Sequence, residues 1–248
     1  MDCLSKSFKT QNLKFNPQNS KPSTQNYKRM EGDILIINNY HRKAARQVVA
    51  ILLPEIEKAV NKFFLTVAGE SGAGKSEIAA SIAAEMERTG RKSFVFQQDD
   101  YFVYPPKTNA RKRVEDIGWV GMQEVKLYKL DEEIAAIRQG ETIIEKPLVI
   151  FDDDLITTET VDLSGYEVFI AEGTYTTALK NVDARVFIDR DLKDTKKARA
   201  KRAREKQDDF LEQILTIEHR IISAQKKEAD IIITKAFDAL KQKEHEQD

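Results

Sequence analysis

The chain reads Gly69-Glu70-Ser71-Gly72-Ala73-Gly74-Lys75-Ser76, which fits the pattern GxxxxGK(S/T) of a phosphate-binding loop. Residues 63–68, just before it, are mostly apolar and predict a buried strand, and apolar residues recur at helical spacing after it. Glycines let successive backbone N–H groups point at a phosphate, since no Cβ stands in the way. The loop therefore predicts a nucleoside triphosphate site, in which Lys75 reaches the β- and γ-phosphates and Ser76 holds Mg²⁺.

Composition narrows the class of protein. The 248 residues suffice for one α/β domain with appendages. Charged residues make up 33% of the chain, but the net charge is −1, so we expect neither nucleic acid nor a membrane as a partner. The single cysteine, Cys3, excludes an internal disulfide framework and indicates a reducing compartment. We expect a soluble, cytoplasmic protein, and the oligomeric state stays open, a homo-oligomer included.

The N-terminal part of the chain differs in composition from the rest. Residues 1–29 are rich in Asn, Gln, Ser and Lys, and they predict a disordered tail because they cannot bury enough apolar surface. Residues 30–62 are expected to pack beside the nucleotide domain, as a strand at 33–37 and a helix at 40–62 that is interrupted near Pro54.

The nucleotide-binding core is predicted to span residues 63–240 of a domain that runs from 30 to 248. Strands are expected at residues 63–68, 93–97, 167–171, 185–189 and 230–234. Helices are expected at residues 76–88, about 122–139, 193–206 and 208–226. The alternation predicts an α/β fold of the P-loop NTPase type, a parallel sheet flanked by helices. Residues 142–163 predict short antiparallel strands inserted at the rim, where the second substrate commonly binds.

Acidic residues follow two of the predicted strands. In an open α/β sheet the ligand binds beyond the carboxyl ends of the strands, so these acids are candidate site residues. Asp99 and Asp100 follow strand 93–97, where a carboxylate could accept a proton from an attacking hydroxyl and approach Mg²⁺. We expect one of the two to cap a turn only. Glu172 can reach the metal from the end of strand 167–171, and a surface acid is the alternative.

Residues 193–206 form a local cationic segment in a chain of nearly neutral net charge. At helical spacing Arg199, Arg202 and Lys206 share one face, so they could close over a triphosphate as a lid. A solvated helix face is the alternative for most of these residues. Nucleic-acid binding is a rival hypothesis, but no stacking aromatic residues are interleaved with the charges.

Taken in order, these motifs resemble the uridine kinase and phosphoribulokinase family of P-loop kinases over roughly residues 63–234. They are the phosphate loop, Gln98-Asp99-Asp100-Tyr101-Phe102, Glu172-Gly173-Thr174-Tyr175, Phe187-Ile188-Asp189, the arginine-rich helix and Leu211-Glu212-Gln213-Ile214-Leu215. The resemblance implies that Asp99 is the catalytic base and metal neighbour, and that Glu172 is the glutamate at the family's Glu-Gly strand end. It also implies that Arg199 and Arg202 are lid arginines.

The chain departs from uridine kinases on the acceptor side and in the lid. The family's Asn-Phe-Asp-His-Pro segment is replaced by Asp116-Ile117-Gly118-Trp119-Val120-Gly121, which lacks the histidine. Its Pro-x-Tyr-Asp motif becomes Pro147-Leu148-Val149-Ile150-Phe151-Asp152, with the aromatic residue and the acid displaced. The lid's Arg-Asp and Arg-Gly-Arg elements become Arg202-Ala203 and Gln207-Asp208-Asp209. The phosphate side therefore matches the family more fully than the acceptor side.

The leading hypothesis is an ATP-dependent kinase that transfers the γ-phosphoryl group to a hydroxyl, with Asp99 orienting or deprotonating the acceptor. Lys75, Mg²⁺ and the arginines Arg199 and Arg202 would stabilise the charge on the transferred group. Metal ligands are expected from Ser76, Asp99 and Glu172. Uridine or a related nucleoside is the first acceptor, and sugar phosphates, pantothenate or glycerate are the alternatives. An ATPase or switch, without a small-molecule acceptor, is a second class of function.

Overall fold

A computed structural model describes residues 35–202 and 208–242, with the side chains of residues 201 and 202 left out. The described helices are α1 (Asn39–Lys58), α2 (Lys75–Arg88), α3 (Pro106–Glu115), α4 (Leu127–Arg138), α5 (Leu192–Arg202) and α6 (Asp209–Gln225). The described strands are β1 (Phe63–Gly69), β2 (Ser93–Gln97), β3 (Ile143–Ile150), β4 (Leu155–Asp162), β5 (Val168–Gly173), β6 (Ala184–Ile188), β7 (Ile231–Ile233) and β8 (Ala239–Lys241).

Six strands form the central sheet, in the order β2-β5-β1-β6-β7-β8. All neighbouring pairs are parallel except β7 and β8. Every residue of β1 and of β5 is buried, as a parallel sheet covered on both faces requires. Val67 of β1 and Gln97 of β2 both pair with Glu172 of β5, so the carboxyl ends of these three strands lie at one edge.

The two faces of the sheet carry separate hydrophobic cores. On one face α1 and α2 pack through side chains that include Val48, Leu52 and Ile82. On the other face Phe64 and Phe169, whose rings stack at 4.9 Å between centroids, belong to a core that also takes in residues of α4 and α6. The predicted fold class, a parallel sheet flanked by helices, is confirmed. None of the helices in the described part of the chain has both the length and the apolar character needed to cross a membrane.

The N-terminal segment differs from its prediction. The predicted strand at 33–37 is wrong for its described part, since residues 35–38 have no regular secondary structure, and residues 33 and 34 lie outside the described range. Helix α1 runs through Pro54 without interruption. Pro54 has no N–H group to donate to the carbonyl of Ala50. Both residues lie on the exposed face of the helix, where water can donate a hydrogen bond to that carbonyl instead. The predicted tail at 1–29 lies outside the described residues.

The rim insertion is one antiparallel hairpin. Residues 142–163 were expected to form several short strands, whereas β3 and β4 pair over eight residues each, from Ile143 with Asp162 to Ile150 with Leu155. The hairpin is a separate two-stranded sheet. Helix α5 covers the start of the predicted lid at 193–206, and residues 203–207 lie outside the described range.

Candidate active site

The phosphate loop joins the end of β1 to the start of α2, as predicted. Gly72 and Gly74 have φ angles of 76° and 101°, in the left-handed region that residues with a Cβ rarely adopt. The loop leads into the N-terminus of α2, and the first N–H groups of a helix, which have no acceptor within the helix, can donate to a phosphate. Lys75 Nζ donates a hydrogen bond to the Glu70 carbonyl oxygen at 3.1 Å, so the lysine lies over the loop.

Ser76, Glu172 and Asp99 lie together at the carboxyl edge of the sheet. Ser76 Oγ donates to Glu172 Oε1 at 2.9 Å, and all three residues line one cavity with the loop. Burial raises the pKa of Glu172 to about 7, while Lys75 lowers it and Asp99 raises it. Hydroxyl and carboxylate oxygens suit Mg²⁺, which protein sites usually hold with one or two carboxylates together with substrate phosphates. These side chains therefore fit a Mg²⁺ ion bound between protein and triphosphate.

The two adjacent aspartates lie in different surroundings. Asp99 is half-buried and faces the cavity. Asp100 is buried, and its Oδ2 accepts from Lys146 Nζ at 2.8 Å while its Oδ1 accepts from the backbone N–H of Val149 at 3.1 Å. Asp100 thus attaches strand β3 of the hairpin to the edge of the sheet, and Asp99 is left facing the site.

Arg199, which is predicted to be a lid arginine, lies against the loop. It is buried, and a Cβ added to Gly72 would come within 3.0 Å of its Cγ. Its Nη2 donates to the carbonyl of Leu192 at 2.9 Å, on its own helix. Arg199 therefore lies beside Gly72 of the loop, whereas the side chain of Arg202 lies outside the described residues.

A contact between the loop and α6 has no counterpart in the sequence analysis. Glu70 Oε1 is hydrogen-bonded to Nδ1 of His219. Burial raises the pKa of Glu70, and the contact with His219 lowers it. The two residues are 149 positions apart, so no local pattern could have indicated the contact.

The cavity extends from the loop to a wall formed by α3, α6 and the tip of the hairpin, and its volume is about 330 Å³. Its apolar lining away from the loop consists of Phe102, Pro106, Ala110, Phe151, Leu211, Ile214 and Leu215. Its polar lining there consists of Lys107, Asn109, Arg113 and Glu218. We call this part of the cavity the acceptor end.

Three polar side chains of the acceptor end, those of Asn109, Arg113 and Glu218, form one network together with Glu124, and no local pattern in the sequence indicates it. Arg113 donates from Nε to Glu124 at 2.7 Å and from Nη2 to Glu218 at 3.1 Å. Asn109 Nδ2 donates to the same oxygen of Glu124 at 2.5 Å, and its Oδ1 accepts from Trp119 Nε1 at 2.8 Å. Trp119 thus lies behind Asn109 and orients its amide.

The chain is similar in sequence to a known protein family and to a known protein. The sequence model of the Phosphoribulokinase / Uridine kinase family matches residues 64–240. A bifunctional alpha-galactosidase/sucrose kinase of Mediterraneibacter gnavus is 27% identical over 191 residues, which cover 71% of this chain and 20% of that protein. The chain therefore spans about a fifth of the length of this relative.

Solved structures share the fold at low sequence identity. A putative fructose transport system kinase from a Silicibacter species has a TM-score of 0.56 and 17% identity, with 74% of this chain and 94% of that one covered. A possible uridine kinase from Bacillus stearothermophilus has a TM-score of 0.50 and 18% identity, with 75% and 97% covered. D-glycerate 3-kinase from Cryptococcus neoformans has a TM-score of 0.54 and 10% identity, with 80% and 99% covered.

The family model covers most of the chain, including the loop, the strand-end acids and α5 and α6. The predicted resemblance and the predicted enzyme class, an ATP-dependent phosphotransferase, are both confirmed by it. Kinases of this family use ATP and typically a divalent metal. The chain belongs to the phosphoribulokinase/uridine kinase family of kinases.

Proposed function

We propose that the chain transfers the γ-phosphoryl group of ATP, with Mg²⁺, to a hydroxyl of a sugar-type acceptor. One observation carries this proposal: a single cavity joins the phosphate loop to the polar acceptor end, and Asp99 lines it together with Ser76 and Glu172. A hydroxyl compound bound at the acceptor end would therefore lie beside both a carboxylate base and the phosphate donor.

The residues around the phosphate loop each have a part in the proposed transfer. The acceptor oxygen attacks the γ-phosphorus, its proton passes to Asp99, and the bond to the β-phosphate oxygen breaks to release ADP. Lys75 and Arg199 would bind the phosphate oxygens and stabilise their negative charge. Ser76 and Glu172 would hold Mg²⁺, which supplies further charge neutralisation when bound. The cavity walls hold the acceptor in place.

The side chains of the acceptor end favour a sugar over a nucleoside as the acceptor. Sugars present many hydroxyls, and the side chains of Asn109, Arg113 and Glu218 offer donors and acceptors to match them. The relative with 27% identity carries sucrose kinase in its name. Two of the segments that differ from uridine kinases, residues 116–121 and 147–152, contribute Trp119 and Phe151 to this side of the cavity.

A nucleoside remains the second candidate acceptor because of two aromatic side chains. Phe102 and Phe151 both line the cavity, and aromatic rings can stack on a base. A test of the acceptor therefore has to include uridine.

The proposal is tested by ADP release from purified protein with ATP and Mg²⁺, over a panel of sucrose, fructose, uridine, fructose 6-phosphate, pantothenate and glycerate. We expect turnover that depends on a sugar, with the phosphorylated sugar identified by mass spectrometry. Lys75→Ala should lower kcat by about a hundredfold or more, because the lysine charge acts on the transferring group. Lys58→Ala, at an exposed position on α1, is the matched control. ADP release that is independent of every acceptor would instead identify an ATPase.

A further inference from the structure

The contact between Glu70 and His219 joins the phosphate loop to α6, the helix that forms part of the wall of the acceptor end. Resting on the proposed kinase function, we propose that Glu70 and His219 are positioning residues, which hold α6 at a fixed place beside the loop and so align the acceptor with the phosphate donor. Neither side chain lines the cavity, so the pair acts through the residues of α6 that do.

Helix α6 is held differently along its length. In its last turns, Ile222 belongs to the hydrophobic core on its face of the sheet, and Ile221 packs against that core. Nearer the start of the helix, Leu211, Ile214 and Leu215 line the cavity. In the described part of the chain, the two cores of the sheet do not take in these three residues. The half of α6 that forms the cavity wall therefore relies more on polar contacts for its position.

Two adjacent residues of α6 tie this half to neighbouring elements. Glu218 accepts from Arg113 Nη2 at 3.1 Å, which connects the helix to α3. His219 Nδ1 is hydrogen-bonded to Glu70 Oε1, which connects it to the phosphate loop. The side chain of Glu70 is 9% exposed and that of His219 is 38% exposed, so the contact is largely shielded from water on the loop side. An ionised carboxylate only accepts hydrogen bonds, so the ring nitrogen is then the donor.

The connection of α6 to α5 is weaker. Lys196 lies 3.8 Å from Glu212, and the two side chains are 70% and 72% exposed. An exposed ion pair of this kind contributes little to holding two elements together. The link through His219 is therefore the one that sets the distance between α6 and the phosphate loop.

The phosphate loop is the fixed partner in this contact. It is joined at one end to β1, which is buried throughout, and at the other end to α2. The carbonyl of Glu70 accepts from the backbone N–H of Ala73 at 3.0 Å and from Lys75 Nζ at 3.1 Å. Loss of the His219 side chain leaves these contacts in place, so it frees α6 rather than the loop.

Breaking the contact should therefore affect the acceptor and spare the nucleotide. In the ADP-release assay, with the acceptor that the panel identifies, we expect His219→Ala to lower kcat/KM for the acceptor by about tenfold to a hundredfold, since a displacement of about 1 Å can cost that much. The KM for the acceptor should rise, while the KM for ATP should stay within about twofold. A KM does not depend on the folded fraction of the enzyme, so this split separates positioning from lost stability. Gln213→Ala, at an exposed position on the same helix, is the matched control.

Two further variants test the geometry of the contact. In asparagine the amide nitrogen is bonded to Cγ, as Nδ1 is in histidine, so His219→Asn can donate from the same place. His219→Gln places its amide nitrogen one bond further out. We expect His219→Asn to recover most of the lost kcat/KM and His219→Gln to recover little. Unless the asparagine variant recovers more than the glutamine variant, with both folded by circular dichroism, the proposal is overturned.

A double-mutant cycle assigns the effect to the pair. Glu70→Ala removes the carboxylate and keeps the backbone carbonyl that Lys75 contacts. If the two side chains act as one unit, Glu70→Ala combined with His219→Ala should lose no more kcat/KM for the acceptor than the larger single loss.

The outcomes separate this inference from the proposed function. Losses that multiply in the double variant, or an unchanged acceptor KM in folded His219→Ala, would overturn the inference and leave the proposed kinase function standing. Turnover of the wild type with none of the acceptors would contradict the proposed function itself, and the inference with it.

Discussion

At the scale of single residues, the site shows how two adjacent aspartates come to differ in role. Asp99 and Asp100 share a short 3₁₀ turn at the end of β2, so their side chains leave the chain in different directions. Asp100 enters the protein and pairs with the buried Lys146, whereas Asp99 faces the cavity. The one that anchors the hairpin is structural, and the one that faces the phosphate loop is the candidate base.

Substitution should separate these two roles. We expect Asp99→Asn to lower kcat by about a hundredfold to ten-thousandfold, since a general base contributes on that order, with unchanged stability. Asp100→Asn should lower the free energy of unfolding by about 3 kcal/mol, because it leaves Lys146 buried without one of its partners. Steady-state kinetics and urea unfolding measure the two effects. The reverse result, with Asp100→Asn stable and inactive, would move the role of base to Asp100.

The residues that the sequence could indicate are those in contiguous motifs. Gly69 to Ser76 are adjacent in the chain, and Asp99 and Glu172 each follow a recognisable strand. Arg113 and Glu218 are 105 positions apart, and their pairing depends on how α3 and α6 pack. Such a contact has no local pattern, so the acceptor end could only be seen in the folded molecule.

At the scale of elements, the start of α5 determines where Arg199 lies. Asp191 precedes the helix, and its Oδ1 accepts from the backbone N–H groups of Lys193 at 2.8 Å and Asp194 at 3.1 Å, as an N-cap does. Its Oδ2 accepts from Lys235 Nζ at 3.0 Å, which ties the helix start to the segment after β7. These contacts hold the first turn of α5 beside the phosphate loop.

Removal of this cap should be visible as a pH-dependent loss of stability. The hydrogen bond from the Asp194 backbone, followed by that from Lys235, lowers the pKa of Asp191 to about 2. The pKa is lower in the folded state than in the unfolded state, so the stabilisation is present above about pH 4 and is lost as the pH falls towards 2. Because the side chain is partly exposed, we expect Asp191→Ala to cost about 1 kcal/mol at pH 7.

The measurement is urea unfolding of wild type and variant at pH 7 and near pH 2, where the difference should vanish. Asp189→Ala serves as the control, since Asp189 forms a partly exposed ion pair with Lys226 and should cost little. A difference that persists unchanged at low pH would show that the carboxylate charge is not the stabilising feature.

The hairpin was predicted imperfectly because burial in the fold overrides the local pattern. Lys146 and Pro147 interrupt the apolar run of β3, so the sequence indicates two short strands there. In the fold Lys146 is buried because Asp100 and Glu159 pair with it, at 2.8 and 3.1 Å, and the strand continues. The strands of the parallel sheet were predicted well because both their faces are buried and their sequences are continuously apolar.

At the scale of the whole molecule, the helix before the family-matched region is part of the core. The family model begins at residue 64, yet α1 packs against α2, the helix that starts at the phosphate loop. His41 of α1 is buried, and a Cβ added to Gly74 would lie 3.2 Å from its Nε2. Helix α1 therefore supports the loop from the side opposite the cavity.

Weakening α1 should lower both stability and phosphate binding. Leu52 is 1% exposed in the core shared with α2, and Leu52→Ala should lower the free energy of unfolding by about 3 kcal/mol, because it leaves a cavity. Val60→Ala is the matched control, since Val60 is 97% exposed and should cost under about 0.5 kcal/mol. Thermal unfolding with and without ATP and Mg²⁺ measures both effects.

Truncation gives the stronger form of the same prediction. A chain that begins at residue 61 lacks α1 and exposes the apolar face of α2, so it should lose cooperative unfolding and stabilisation by ATP. A chain that begins at Met30 is the control, because the predicted tail at 1–29 is too polar to contribute to a core. If the shorter chain unfolded at the same temperature as the longer one and bound ATP equally well, α1 would be an appendage. The kinase domain would then coincide with the family-matched region, whereas the packing of α1 on α2 requires it to begin before that region.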